Sequence, residues 1–464
     1  MFVGFDFGTS NCAIAHIHNG KSRLIPLYGN SCFVPSSLYA LERAFIAESV
    51  WNLLQDGDDK KNFADSRAFL LGQSRLGRRE HSLETAGEGL FFGHEAIEQY
   101  IAAPSEGYFI KSPKSFLGAS GLRQQSIDFF EDVVTAMMRN VKERAEKYLG
   151  ESIAQAVIGR PVNFQGINAQ QSNQQAQAIL LAAGKRAGFR DIEFLFEPLA
   201  AGFDFETRLT RNQRVLVVDV GGGTTDCSMV MMGPDHMLKV NRQQDFLGHT
   251  GERIGGNDFD IQFAQKLLMP DFGMLSPLKS GLPMPLMPFA NAVAINDVGA
   301  QAEFYDTHTL HLIEKLMRDT REPQLLQRLK IMRDGKYNFA VVRQAEAGKI
   351  ALSSSDTCRL DLGFIDPQLL PECHLRAFAE ASEALLDKIS ALILAATQQA
   401  GGVPEVVYVT GGSAKSPLIL KAIRQLLGQD IAIVDGDHFG SVVSGLSLWA
   451  ERIFAPDTGR ERFG

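Results

Sequence analysis

The chain opens on an apolar run, Phe2-Val3-Gly4-Phe5, and reaches a carboxylate at Asp6. It turns through Gly8-Thr9-Ser10-Asn11 and becomes apolar again at Cys12-Ala13-Ile14. The same order returns much later: Val215-Leu216-Val217-Val218, then Asp219, Gly221-Gly222-Gly223-Thr224-Thr225, Asp226 and Cys227, continuing through Ser228-Met229-Val230-Met231-Met232. Each copy predicts strand, tight turn, strand, which is a β-hairpin. With Asp6 and Asp219 213 positions apart, each hairpin can head its own lobe, and two similar lobes can grip a ligand from both sides of a cleft.

The rest of the pattern alternates helix and strand. Helical spacing runs from Asp128 to Tyr148, and a strand over 153–159 is stopped by Arg160-Pro161. A polar helix from Gln170 to Ala187 ends at Gly188, and Ile192 to Phe196 is a strand. From Leu375, the apolar positions Phe378, Leu385, Leu386, Ile389, Leu392 and Ile393 trace one helix face that Gly401-Gly402 terminates. Val406 to Val409 is a buried strand leading into Gly411-Gly412, Ser441 to Phe454 a closing helix, and 456–464 a loose tail. Two stretches fit poorly. Residues 40–110 mix polar loops with helical pieces, and 269–288, with five prolines and four methionines, predicts a loop with little regular structure. Its methionines are expected to pack on their own lobe, an exposed partner surface being the alternative.

A length of 464 residues allows about two to four compact units. With 45% hydrophobic and 22% charged residues, the composition is that of a globular protein and excludes a disordered or fibrous chain. A net charge of −8 argues against a dedicated nucleic-acid binder, which needs a basic surface. The cysteines are Cys12, Cys32, Cys227, Cys358 and Cys373; the number is odd and no CxxC pair occurs, so reduced thiols acting as small apolar residues are expected. The N-terminus lacks the basic region of a signal peptide, and no apolar run nears the ~18 residues of a membrane span. The expected location is the cytoplasm, with neither a membrane nor a nucleic acid as partner.

The two turns carry the chemistry. Glycine, threonine and serine leave backbone N–H groups free to meet an anion and let phosphate oxygens approach without Cβ clashes. Each turn follows a carboxylate, Asp6 or Asp219. A phosphate chain held between them would need a counter-ion, and carboxylates with water and phosphate oxygens suit Mg²⁺. There is no GxxxxGK[ST] P-loop. Gly87-Glu88-Gly89 with Gly93 lacks dinucleotide-binding spacing and reads as a loop, while His308 and His311 have no acidic or cysteine ligands in register and read as solvated.

At these residues the sequence resembles the nucleotide-binding domain of DnaK-type chaperones, the Hsp70 family within the actin and sugar-kinase ATPase superfamily. The hairpin motifs, Gly411-Gly412-Ser413, Glu197-Pro198-Leu199-Ala200-Ala201, Gly255-Gly256-Asn257-Asp258-Phe259-Asp260 and the spacing of Glu346, Lys349 and Ser353 carry the likeness. It runs from Phe2 to about Phe454 and is greatest toward a truncated bacterial branch of that family. It implies an α/β protein with the actin-like ATPase fold, two related lobes around a nucleotide cleft, enlarged outer subdomains and no peptide-binding β-sandwich. The expected divisions are lobe I over 1–208 (outer subdomain about 40–120), lobe II over 209–436 (outer subdomain about 257–370), a closing helix over 437–455 returning to lobe I, and the tail over 456–464.

The resemblance also implies roles. Gly8, Thr9, Ser10 and Asn11 hold the terminal phosphates from one side, and Gly221, Gly222, Gly223, Thr224 and Thr225 from the other. Asp6, Asp219 and Glu197 order Mg²⁺, largely through water. Glu346, Lys349 and Ser353 meet the ribose and adenine of ATP or ADP, and Gly411, Gly412 and Ser413 approach from below, with the Lys415 stem along the base. Lys114 resembles the family's catalytic lysine, with Lys111 as its competitor, and Thr224 or Asp226 helps place the attacking water. The chain departs from the family where no interdomain linker follows the closing helix, and at Ala169, where the family has an arginine that relays nucleotide state. The implied function is a slowly ATP-hydrolysing, chaperone-related protein whose lobe motion controls a protein partner or client. Docking of J-domain co-chaperones or exchange factors is in question. The rival readings are a small-molecule kinase of the same superfamily and a non-catalytic nucleotide-gated scaffold.

Overall fold

Both predicted hairpins form, and they form in the same register. The computed structural model describes residues 1–85, 87–103, 106–164, 168–237, 239, 242–413, 416–436 and 440–455; the expected tail over 456–464 lies outside the described residues. Phe2–Phe7 pairs antiparallel with Asn11–His18, setting Asp6 opposite Ala13. Gln213–Val220 pairs antiparallel with Thr225–Met232, setting Asp219 opposite Asp226. Both carboxylates therefore sit at one ladder position, one residue short of the strand end.

The repeat extends from the hairpins to whole sheets. In the first sheet the order is Lys21–Leu24, Asn11–His18, Phe2–Phe7, Gln155–Arg160, Asp191–Phe196. In the second it is Phe246–Glu252, Thr225–Met232, Gln213–Val220, Val406–Thr410, Ala432–Asp435. Each sheet has two antiparallel neighbours on one side of its first strand and two parallel ones on the other. The parallel strands follow helical crossovers, as the alternating pattern requires.

The chain divides into two units, Met1–Arg253 with Leu392–Ala414 and Leu427–Gly464, and Ile254–Ala391 with Lys415–Leu426. The first unit holds both sheets. Phe5, Phe7, Ile14, Val133 and Ile158 fill one core, and Leu195, Val215, Val217, Tyr408 and Leu446 fill another, all buried. Helices Glu197–Glu206 and Ser441–Phe454 cross at Gly445, where a Cβ would lie 1.8 Å from the Ala200 carbonyl oxygen. A Cβ on Gly4 would likewise lie 2.2 Å from the Ser447 nitrogen, so the closing helix rests directly on the first strand. These contacts fix where the 197–206 helix begins.

The outer segment of this unit differs from the expected mix of loops and helical pieces. Ser37–Ala40 is the centre of a three-stranded sheet, flanked by Leu90–Phe92 and Tyr108–Lys111, beside helices Arg43–Leu53, Asp58–Ser66, Ala68–Glu80 and His94–Ala102. Strands of three or four residues are too short to show a period of two, and their partners lie about fifty to seventy residues apart. The segment is tied down by Arg67, whose guanidinium donates to both oxygens of buried Asp132 at 2.8 and 3.2 Å.

The second unit is mainly helical. Over 269–288 a single turn of 3-10 helix, Met269–Phe272, precedes irregular chain up to the helix Met287–Val293. Met269, Met274 and Met284 are buried and Met287 is exposed, so the loop packs most of its methionines inward. His308 and His311 lie exposed on helix Thr307–Asp319. Among the described residues no helix is long and apolar enough to cross a membrane.

Candidate functional site

The two hairpin turns meet inside the first unit. In each, the first glycine closes the turn on itself: Gly8 N–H donates to the Asn11 carbonyl at 3.1 Å, and Gly221 N–H to the Thr224 carbonyl at 2.9 Å. The N–H groups of Thr9, Ser10, Gly222 and Gly223 lie outside these closing bonds. A Cβ on Gly222 would fall 1.8 Å from Ser10 Oγ, and one on Gly223 2.8 Å from Thr9 Cγ2 and 2.9 Å from Ser115 Oγ. Gly222 and Gly223 are thus required by the side chains facing them, and the approach is close enough for both turns to share one anion.

The first turn has a support that sequence reasoning missed. Ser36 Oγ donates to the Gly8 carbonyl at 2.6 Å, and Ser36 N–H donates to the Ser10 carbonyl at 2.8 Å. The second turn is backed by Gly411, where φ is +91° and a Cβ would lie 2.5 Å from Asp219 Oδ1. Only glycine satisfies both demands. Ser413 N–H donates to the Val220 carbonyl at 3.2 Å, so the Gly411-Gly412-Ser413 segment lies against the end of the second hairpin. Lys415 lies outside the described residues.

Behind the turns, four carboxylates surround one ammonium. Lys114 is buried, its Nζ bonded to Glu197 Oε1 and 3.4 Å from the Gly159 carbonyl. Burial by itself would push the Lys114 pKa down, but the Glu197 and Asp6 carboxylates outweigh it and raise it. Burial, reinforced by Glu197, pushes Asp6 up to about 7. The same two causes push Asp226 up to about 7, even though its Oδ1 accepts the Val162 N–H at 3.0 Å. Asp219 is raised well above the ordinary carboxylate range by burial and by Glu197, Asp226 and Asp6 together. One lysine cannot balance this much buried negative charge, so the donor set favours a further cation. Among the described residues no three His, Cys, Asp or Glu side chains group closely enough to ligate a metal directly.

Lys114 is presented by strained backbone. Ser112 sits in the left-handed region at φ +57°, is buried, and precedes the 3-10 turn Pro113–Phe116. A serine held there marks a position the surroundings enforce. Lys111 ends the strand Tyr108–Lys111, across from Ser37. Thr9, Lys114, Ser115, Pro161, Thr224 and Arg253 line a small recess at the turns. Ser115 and Arg253 carried no sequence signal. Neither did Arg160, whose guanidinium lies 5.0 Å over the Phe196 ring and feels the Glu197 and Asp226 charges.

The remaining predicted residues lie in the second unit. Glu346 and Lys349 are on helix Asn338–Ala351, and Ser353 follows it, exposed, with Oγ donating to the Lys349 carbonyl at 3.1 Å. Lys349 Nζ is 2.7 Å from Asp260 Oδ1 and donates to the Gly256 carbonyl at 3.0 Å, binding this helix to the Gly255-Gly256-Asn257-Asp258 segment.

A family profile described as Hsp70 protein matches residues 122–273. The chain is similar to the chaperone protein DnaK of Prochlorococcus marinus (strain MIT 9515), 26% identical over 440 residues covering 92% of this chain and 55% of the relative. It is also similar to the chaperone protein dnaK of Emiliania huxleyi, 27% identical over 441 residues, 92% of this chain and 56% of the relative. A third similar protein, chaperone protein dnaK3 of Thermosynechococcus vestitus (strain NIES-2133 / IAM M-273 / BP-1), is 26% identical over 442 residues, 92% of this chain and 52% of the relative. The chain spans about half the length of the curated relatives it matches. Taken with the paired sheets and facing turns, these matches make the chain similar to DnaK-type chaperones of the Hsp70 family, and its α/β architecture is consistent with the actin-like ATPase fold.

Proposed function

We propose that this chain binds ATP and ADP with Mg²⁺, hydrolyses ATP slowly, and does chaperone-related work through a nucleotide-gated motion of its lobes in the cytoplasm. The observation that carries the proposal is the close approach of the two hairpin turns over a buried, charge-unbalanced cluster. The terminal phosphates are cradled by the N–H groups and hydroxyls of Thr9 and Ser10 on one side and by Gly222, Gly223 and Thr224 on the other. Asp6, Asp219 and Glu197 hold the magnesium ion through water; when bound, it supplies charge neutralisation to the phosphates. Lys114, held by Glu197, offers its ammonium to the phosphoryl oxygens and the attacking water, and Thr224 orients that water. Asp226, whose Oδ1 accepts the Val162 N–H, is the alternative to Thr224 for placing that water.

Glu346, Lys349 and Ser353 are proposed to take the nucleoside, with a protein client or partner as the recipient of the nucleotide signal. Calorimetric titration with ATP and ADP, with and without magnesium, tests the core of the reading. Uptake of neither nucleotide under either condition refutes it. Binding of an unfolded fluorescent peptide compared in ATP and in ADP tests client capture, which fails if neither state binds.

A further inference from the structure

Cys358 and Cys373 stand directly opposite each other in the antiparallel pair Thr357–Arg359 and Glu372–His374 of the second unit. Leu360 N–H donates to the Pro371 carbonyl at 3.0 Å, and Leu375 N–H to the Asp356 carbonyl at 2.9 Å. Antiparallel pairs alternate in type, so the cysteines, two positions from each of these, occupy the hydrogen-bonded type, with Cα atoms about 5.5 Å apart. That spacing falls within the range of about 4.4–6.8 Å that a disulfide spans. Both thiols are free, Cys373 buried and Cys358 partly exposed. Their neighbours Thr357, Arg359, Glu372 and His374 all face solvent, which leaves the two cysteines on the same inner face of the hairpin.

We propose that Cys358 and Cys373 form a reversible disulfide on exposure to a peroxide, as a redox-modification site of this protein. Cys358 Sγ, the accessible sulfur, attacks one peroxide oxygen; the O–O bond breaks, a sulfenic acid forms on Cys358, and water leaves. Cys373 Sγ then attacks that sulfur, loses its proton and expels a second water as the S–S bond closes. The two sulfurs give up two electrons and the peroxide accepts them. Burial holds both above the ordinary thiol value, Cys373 at about 12, while the hydrogen bond from Cys373 favours the thiolate of Cys358. Both thiols are therefore protonated at rest.

The bond has a mechanical neighbour. Cys358 Sγ lies 3.8 Å from the Gly348 carbonyl of helix Asn338–Ala351, between Glu346 and Lys349. Closing the disulfide draws this sulfur from the helix toward Cys373, so oxidation disturbs the support of those two side chains; this consequence rests on their proposed role in holding the nucleoside.

The full-length protein, treated with hydrogen peroxide, quenched, unfolded and alkylated, gives the decisive reading by mass and peptide mapping. Expected is the loss of two alkylatable thiols, a cross-linked peptide pair containing Cys358 and Cys373, and recovery of both thiols with a reductant. Cys358→Ser and, separately, Cys373→Ala abolish the cross-link. Retention of all five thiols, or a cross-link through Cys32 instead, overturns the proposal. Fluorescent ADP binding is expected to weaken several-fold on oxidation of the native protein and not of Cys358→Ser. An unchanged affinity overturns the coupling to the helix. A protein that forms the bond yet binds no nucleotide in either state supports the thiol pair and overturns the function proposed above.

Discussion

The two hairpins share register, sheet order and the position of their leading carboxylate, yet they divide the work of a cradle unequally. The first turn carries the hydroxyls, Thr9 and Ser10, and is braced from outside by Ser36. The second carries almost no side chain, because a Cβ on Gly222 would meet the Ser10 hydroxyl and one on Gly223 the Thr9 methyl. They differ in charge as well: the ladder position held by Ala13 in the first is held by Asp226 in the second. A duplicated frame thus becomes a single site by letting one copy supply groups and the other supply room.

The strongest way to break the comparison is to remove the cation both copies lean on. Lys114→Ala should lower single-turnover ATP hydrolysis by roughly 10²–10³-fold, the scale for losing one preorganised electrostatic partner, while Lys111→Ala leaves it unchanged. An unaffected Lys114→Ala protein removes the assignment. Next comes the division between groups and room. Gly222→Ala should weaken nucleotide affinity by about 1–3 kcal/mol, the scale of forced overpacking, and the double variant Ser10→Gly with Gly222→Ala should recover part of it. Additive losses in that cycle would mean the turns do not touch.

The charge difference can be erased at Asp226. A carboxyl whose pKa rises on folding holds its proton more tightly in the native state, so its contribution to stability falls as pH climbs. For Asp226 and Asp6 that window runs from the ordinary value of 3.8 to about 7. The nucleotide-free protein should therefore lose stability to these groups across the window, measured by urea unfolding at several pH values. Asp226→Asn, which can still accept the Val162 N–H, should flatten the slope and gain about 1–2 kcal/mol at neutral pH. A steeper slope in the variant would contradict the charge account. The smallest effect is expected at Ser112→Gly, which relieves the left-handed backbone before Lys114 and should stabilise by at most about 1 kcal/mol.

Much of this arrangement was legible because its signals are local. The apolar runs ending in Asp6 and Asp219, the turn glycines and the stop at Pro161 declare strands and hairpins within a dozen residues. The three-stranded outer sheet was not, since Leu90–Phe92 carries no alternation and meets Ser37–Ala40 only through tertiary packing. The site shows the same boundary. Lys114 and Glu197 were each chosen by resemblance, but nothing in the sequence says that an ion pair joins residues 83 positions apart. Ser36, Ser115, Arg160 and Arg253 are ordinary polar residues in ordinary surroundings until the fold brings them to the turns.

The contact between Gly4 and Ser447 bears on how the chain is made. The strand Phe2–Phe7 finds its covering helix, Ser441–Phe454, only after the long stretch between them has been synthesised. Until then the strand's apolar face must be sheltered by provisional contacts, and the slowest folding step should be this late docking of strand and helix.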